Sequence, residues 1–184
     1  MRSRLVSVSG AAVALALAFT VSACAADSPT VLPTEEPATP IFVSDEEALA
    51  AAEAAYAEYL TIADQVIADG GADSQRLGDV VTGAELERQA KEFELFADSS
   101  LRGEGSTVFS QARLQSVEHT GPTTIEVTIY LCQDISDTRI LSAEGEDRTP
   151  SERAVVLPMS VALAGTKDEL KLTRSEVWPT DFCL

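Results

Sequence analysis

The sequence predicts an α+β domain in which helices pack on one face of an antiparallel sheet. Apolar residues with a helical period follow residue 44, whereas segments that alternate between apolar and polar residues fill the second half of the chain. Helical segments that precede a run of strands are typical of helices segregated from an antiparallel sheet. We therefore expect one α+β domain over residues 44–184, long enough to bury a core of its own.

The first and longest helix is predicted to begin after Ser44. Ser44 is a favourable N-cap and Glu47 stands three residues later, which is the spacing of a capping box. Apolar residues then recur at steps of three and four until Gly70-Gly71 ends the pattern. The side chains expected to face the core are Leu49, Ala52, Tyr56, Leu60, Ala63 and Ile67.

Two shorter helical segments follow. Residues 76–81 fit one or two turns, and Thr82 with Glu85 forms a second capping box. The helix that begins there is expected to end near Asp98. Its apolar stripe consists of Leu86, Ala90, Phe93 and Phe96.

Four or five antiparallel strands are predicted after Gly103. The clearest strand covers residues 123–132, where apolar and polar residues alternate, and Gly121-Pro122 supplies the turn before it. We expect its apolar face to lie against the helices. That face consists of Ile125, Val127, Ile129 and Leu131, and the other strands are predicted over 106–118, 139–143, 154–164 and 169–178.

The first 43 residues predict an export signal and a tether. A short basic start, an apolar run over 5–19 and small residues over 20–23 form the three regions of a secretory signal. Val21-Ser22-Ala23-Cys24 resembles the bacterial lipobox, which implies cleavage before Cys24 and diacylglycerol on its thiol. A retained membrane span and an ordinary signal peptide are the alternatives. Four prolines between residues 25 and 43 favour an extended arm, with a reach of roughly 60 Å.

The cysteine count supports this interpretation. The chain has three cysteines, and lipidation of Cys24 leaves Cys132 and Cys183 to form a disulfide in an oxidising compartment. Such a bond would close a loop of about 50 residues and contribute about 4 kcal/mol; two free thiols are the alternative. Two cysteines and one histidine do not supply the four ligands of a zinc site, so we expect neither a metal nor another cofactor.

Charge excludes one class of partner. The chain has 13 basic and 30 acidic residues and a formal net charge of −17. Removal of residues 1–23 takes away two arginines and no acid, which leaves a net charge of −19. Because so anionic a surface repels phosphate groups, we expect no nucleic-acid partner and attachment to the membrane through the lipid alone.

Two resemblances follow from these elements. A long helix, two shorter helices and a strand meander over residues 44–184 resemble the NTF2-like (cystatin-like) fold, which implies a curved sheet closed into a cone. The stretch Tyr130 to Asp134, with Trp178 and Cys183, is similar to uncharacterised exported lipoproteins of high-GC Gram-positive bacteria. The resemblance implies a location on the extracytoplasmic face of the cell membrane. NTF2-like domains include both enzymes and binding domains, so the fold alone assigns no activity.

Residues with possible catalytic chemistry are few. Asp134 and Asp137 are the best carboxylate pair, and Tyr130 shares the polar face of its strand with Asp134. His119 is the single histidine. We expect a non-catalytic domain that binds a small ligand or a protein partner. The alternatives are a dehydratase or isomerase of the NTF2-like type, working through Tyr130, Asp134 or His119, and a structural wall protein.

Acylation of Cys24 can be tested on protein purified from the native membrane. Mass spectrometry should find a diacylglyceryl-modified cysteine as the first residue of the mature chain. A Cys24→Ser variant should lose the modification and leave the membrane fraction, because no thiol remains to accept the lipid. An unmodified mature chain that begins at another residue would show that the prediction is wrong.

Overall fold

The structure is a computed structural model that describes residues 40–183. The class predicted from sequence is confirmed: helices pack against antiparallel sheets. The predicted signal segment, Cys24 and residues 25–39 of the predicted tether lie outside the described residues. The elements are α1 (Asp45–Ala68), a 3-10 helix (Ser74–Asp79), α2 (Gly83–Asp98), β1 (Arg102–Glu104), β2 (Val108–His119), β3 (Ile125–Asp134), β4 (Arg139–Leu141), β5 (Val156–Thr166) and β6 (Glu169–Val177).

The strands form two antiparallel sheets. Four strands pair in the order β2-β3-β5-β6, and β1 pairs with β4 in a separate two-stranded sheet. β3 and β5 stay in register over their whole length, whereas β2 shifts register next to Gln111, whose φ is +56°. The sequence prediction missed β1, because a three-residue strand centred on Gly103 is too short to show alternation.

The core lies between α1 and one face of β3. Ile125, Val127, Ile129 and Leu131 are fully buried, as the alternation predicts. α1 covers them with a stripe that differs at both ends from the prediction, because Ala48 and Val66 are buried where Leu49 and Ile67 are only half-buried. The hydroxyl of Tyr56 donates to Gln133 Oε1 at 2.7 Å, so one polar contact joins helix and strand inside the apolar layer.

The start of α1 is fixed by its cap and by the residues before it. Ser44 Oγ accepts a hydrogen bond from the backbone N–H of Glu47, as the capping box predicts. The Glu47 carboxylate accepts from the backbone N–H of Val43 and pairs with Lys167. Phe42 is buried in the core, so the packed part of the chain begins before Ser44.

The second predicted capping box is absent. The Thr82 side chain makes no capping hydrogen bond, although α2 begins directly after it. Glu85 points into the protein instead, where its carboxylate binds Arg88 and Gln89. A buried role for Glu85 therefore replaces the capping role that its spacing suggested.

The C-terminal segment, residues 178–183, covers the face of the large sheet opposite the helices. The Trp178 ring stacks on Tyr130, with ring centroids 3.8 Å apart. Cys183 forms a disulfide with Cys132, which confirms the predicted pairing. The sheet is thus covered on one face by helices, and the end of the chain covers part of the other face.

A glycine after α1 allows α2 to pack closely. Gly71 is buried with a φ of +82°, and its N–H donates to the Val66 carbonyl at 2.8 Å. A Cβ at this position would lie 2.4 Å from the Phe93 carbonyl oxygen and 3.3 Å from Ala97. No side chain fits at position 71, so this glycine allows the close approach between the end of α1 and the second half of α2.

Comparison of two alanine variants should separate backbone strain from close packing. Gly83 has a similar φ of +65°, but a Cβ added there would have no neighbouring atom within 4 Å. We expect Gly83→Ala to lower the free energy of unfolding by about 1–2 kcal/mol, the cost of a left-handed alanine. Gly71→Ala should cost at least about 2 kcal/mol more, because the helices must also move apart. Urea unfolding measures both, and equal costs would contradict the close packing.

Candidate ligand cavity

A cavity of about 390 Å³ opens where α1 and α2 meet the two-stranded sheet. The second half of α1, residues 88–96 of α2, both strands of the small sheet and the end of β3 form its walls. Its volume lies within the range of small-molecule sites in proteins. The close approach of β1 to α1 defines one side, because a Cβ on Gly103 would lie 2.1 Å from Ile67 Cγ2.

Apolar side chains make up much of the wall. Phe93 and Phe96 on α2 are half-buried and line the cavity together with Leu60 on α1. The phenylalanines stand three residues apart, so they lie on the same side of α2. The stripe that the sequence predicted for this helix therefore faces the cavity as well as the core. Ala63, Ile67, Ile135 and Ile140 complete the apolar lining.

A buried amide stands among these apolar groups. Gln89 is 3% exposed and lines the cavity. Its Nε2 donates to Glu85 Oε1 at 2.7 Å. Because a carboxylate only accepts hydrogen bonds, this contact fixes which end of the amide faces Glu85. The other end, Gln89 Oε1, is buried and has no hydrogen-bond partner among the described residues. Such an unpartnered acceptor is uncommon in a folded protein and costs free energy.

The Glu85 carboxylate anchors this end of α2. Glu85 is 6% exposed and accepts from Arg88 Nε at 3.0 Å. This hydrogen bond is the main reason that the pKa of Arg88 is raised, and Glu92 adds a second contact at 2.6 Å. Burial raises the pKa of the neighbouring Tyr59 to about 12, although the Gln89 amide acts in the opposite direction. The phenol of Tyr59 is therefore neutral at physiological pH.

One arginine of the lining, Arg153, forms hydrogen bonds only with neutral oxygens. Arg153 donates to the Thr138 hydroxyl and to the Ile135 carbonyl, both at 3.0 Å, and also to the Thr138 carbonyl. Within residues 40–183, no carboxylate forms an ion pair with it, whereas Arg88 and Arg139 each contact a glutamate. All three arginines line the cavity, which makes it less anionic than the chain as a whole. The acidic lining residues are Asp64, Glu92 and Glu104.

The residues considered for catalysis from sequence do not line this cavity. Tyr130 lies on the opposite face of the sheet, beneath Trp178. His119 is exposed at the end of β2, beside a separate cavity of about 240 Å³ that Phe42 also lines. The structure therefore brings neither residue to the cavity between the helices.

The two aspartates have the turn role that their sequence also allowed. Asp134 Oδ1 accepts from the backbone N–H of Ser136 at 2.8 Å, and its hydrogen bonds with Ser136 lower the pKa of the Asp134 carboxyl. Asp137 is exposed in the same turn. A carboxylate that is stabilised in its ionised form, as Asp134 is, is a poor general acid at neutral pH.

Sequence reasoning missed the polar residues that the cavity contains. Glu85 and Gln89 stand four residues apart and continue to Phe93 and Phe96 at helical spacing, so they belong to the apolar face of α2. Two polar residues on the core-facing stripe of a helix are a sequence signal for a buried polar site. Arg153 lies in a loop before β5 and offered no pattern.

Two negative findings concern the described residues. Among residues 40–183, no helix has the length and apolarity needed to cross a bilayer. In the same part of the chain, no three His, Cys, Asp or Glu side chains lie close enough together to bind a metal ion.

Comparison with known proteins defines the fold but not the family. No protein-family model matches the chain, and no curated protein matches it. Among solved structures, the intermembrane space region of the chloroplast protein ARC6 is similar, with a TM-score of 0.52 and 15% sequence identity. The match covers 72% of this chain and 97% of that one. At this identity the similarity concerns the arrangement of helices and strands alone.

Removal of the Glu85 carboxylate should destabilise the helix that carries the cavity wall. Glu85→Ala leaves the Gln89 amide without its acceptor, so we expect a loss of about 2 kcal/mol in the free energy of unfolding. Glu87→Ala is the matched control, because Glu87 is exposed on the same helix and should change stability by less than about 0.5 kcal/mol. Urea unfolding gives both values. Similar losses for the two variants would contradict the anchoring role of Glu85.

Proposed function

We propose that this protein is a lipid-anchored lipoprotein of the extracytoplasmic face of the cell membrane, and that its domain binds a small ligand in the cavity between α1 and α2. The lipobox-like stretch that ends at Cys24, after an apolar run, supports the anchor. The proline-rich residues that follow support a role as a spacer between the lipid and the domain.

The observation that carries the binding proposal is the buried, unpartnered Gln89 Oε1 in the wall of an otherwise largely apolar cavity. Ligand sites commonly combine an apolar lining with a few polar groups that orient the ligand. A bound donor would satisfy this acceptor, and the ligand would also cover the half-buried rings of Phe93 and Phe96. The apolar rings would therefore provide affinity for the ligand, and the Gln89 acceptor would provide selectivity.

A non-catalytic role agrees with the placement of the candidate catalytic residues. An NTF2-like dehydratase or isomerase is the alternative, and it would work through Tyr130, Asp134 or His119. Tyr130 and Asp134 share the face opposite the cavity, and His119 borders a different cavity. This arrangement favours binding over catalysis.

We also propose that the domain is an NTF2-like cone. Support comes from the order of its elements and from the packing of α1 against one face of the four-stranded antiparallel sheet. In a cone of this kind, the concave face of a curved sheet and the helices would enclose the ligand site.

Nile red provides a test of the cavity that is independent of any particular ligand. This dye is neutral and becomes fluorescent in apolar surroundings. The mature chain with Cys24→Ser should bind it. Ala63→Leu places a larger side chain in the cavity and should weaken dye binding by about fivefold or more, because forcing the dye against the added atoms costs about 1–3 kcal/mol. Ala54→Leu, at an exposed position of α1, is the matched control.

Circular dichroism and thermal unfolding verify that both variants keep the fold. Ile140→Phe narrows the cavity from the opposite wall and should reproduce the effect of Ala63→Leu. Dye binding that neither cavity variant changes would contradict the proposed ligand site.

A further inference from the structure

We infer that the ligand of this cavity is a small organic anion that has an apolar body and an N–H or O–H donor, where the donor binds Gln89 Oε1 and the anionic group binds Arg153. The inference rests on the proposed function and names the chemistry of the same site.

The need for a donor follows from the Gln89 amide. Its Nε2 is held by Glu85 at 2.7 Å, so the amide cannot rotate by half a turn without loss of that hydrogen bond. Gln89 Oε1 is consequently fixed as an acceptor; it is buried, and no residue of the described part of the chain satisfies it. A ligand group that only accepts hydrogen bonds would repel this oxygen, whereas an N–H or O–H would pair with it.

The anionic group follows from Arg153. Its guanidinium is half-buried, and its three hydrogen bonds all go to neutral oxygens of Ile135 and Thr138. These contacts fix the orientation of the planar group, and none of them is to a carboxylate. Hydrogen bonds from Thr149 lower the pKa of the Asp147 carboxyl, and Arg153 is near enough for its charge to lower that pKa further, but the side chains of Asp147 and Arg153 form no ion pair. In a chain with a net charge of −17, an arginine of the cavity wall that has no carboxylate partner within residues 40–183 is a distinct feature. A ligand carboxylate would complete its set of charge-assisted hydrogen bonds.

The apolar body follows from the remaining wall. Phe93 and Phe96 on α2 face the cavity opposite side chains from α1, such as Leu60. A flat apolar ring would contact these surfaces and displace weakly held water. The volume of about 390 Å³ suits a compound of one or two rings with a short acidic chain.

Three related probes isolate each part of the inference. Indole-3-propionate has the ring, the N–H and the carboxylate; 1-methylindole-3-propionate lacks the N–H; indole-3-propionamide lacks the charge. Ligand-observed NMR titrations on the mature chain with Cys24→Ser give the dissociation constants. Indole-3-propionate should bind most tightly, and loss of the N–H should weaken binding by about tenfold, as expected when a buried polar atom loses its partner. Loss of the charge should weaken it by about fivefold or more.

Variants of the two residues should remove each preference separately. Gln89→Met retains the length of the side chain but not the acceptor, so it should bind the methylated and unmethylated probes alike. Arg153→Gln should remove the preference for the acid over the amide, whereas Arg153→Lys should keep it in part. Arg113→Gln is the matched control, because Arg113 stacks on Phe182 on the opposite face of the sheet and should leave all three constants unchanged.

The outcomes distinguish this inference from the proposed function. Equal binding of the three probes by the parent chain, or no binding of any at millimolar concentration, would overturn the inference. If Nile red still binds and Ala63→Leu still weakens it, the proposed ligand site stands with a different ligand class. If Nile red binding is also insensitive to the cavity variants, both proposals are wrong. Because the probe comparison on the parent chain needs no substitution at Gln89 or Arg153, a folding defect in a variant does not affect it.

Discussion

Burial of the apolar face of β3 beneath α1 is the interaction on which the rest of the structure depends. Four side chains of β3 are fully buried there, and α1 contributes a stripe of mostly small residues that allows a close approach. Two alanines near the start of the helix, Ala48 and Ala52, bring its backbone near the sheet. At this close distance, Tyr56 reaches Gln133 across the layer, so a hydrogen bond inside the core also fixes the register of helix and strand.

That packing leaves α2 to shape the cavity. α1 already covers much of the inner face of the sheet, and α2 contacts β6 and the 3-10 helix rather than the central strands. Between the end of α1, α2 and the small β1-β4 sheet, the chain encloses a space that its own side chains do not fill. The buried Glu85 carboxylate stabilises this arrangement, because it holds one turn of α2 by charge-assisted hydrogen bonds with the partly exposed Arg88.

The sequence predicted the regular elements well because each had a strong local signal. The cap at Ser44 and the glycines at residues 70 and 71 gave the limits of α1 to within two residues, and the alternation of β3 gave its buried face. The disulfide followed from counting cysteines. Which polar residues are buried could not be predicted from spacing alone. Glu85 fits a capping box by spacing, yet its carboxylate is used inside the fold, because the competing contacts with Arg88 and Gln89 come from the next turn of the helix.

The candidate site was less predictable for the same reason. Tyr130 and Asp134 were correctly placed on one face of β3, but the C-terminal segment occupies that face, and only the three-dimensional structure shows which face has open space. β1 and Arg153 had no periodic pattern at all. Gln89 was detectable in principle, since it interrupts an apolar stripe, but its unpartnered oxygen is a property of the packed neighbourhood and not of the helix.

Gly103 has a consequence for which walls of this cavity tolerate substitution. The strand that carries it lies so close to Ile67 that no larger residue fits there, which makes this side of the cavity a backbone surface held by the core packing. Substitutions on that side would disturb α1 and therefore the whole domain. The exposed and half-buried positions of α2 and β4 are free of this constraint. Substitutions in α2 and β4 can therefore alter the shape of the cavity, whereas substitutions in the wall formed by α1 and β1 would disturb the core.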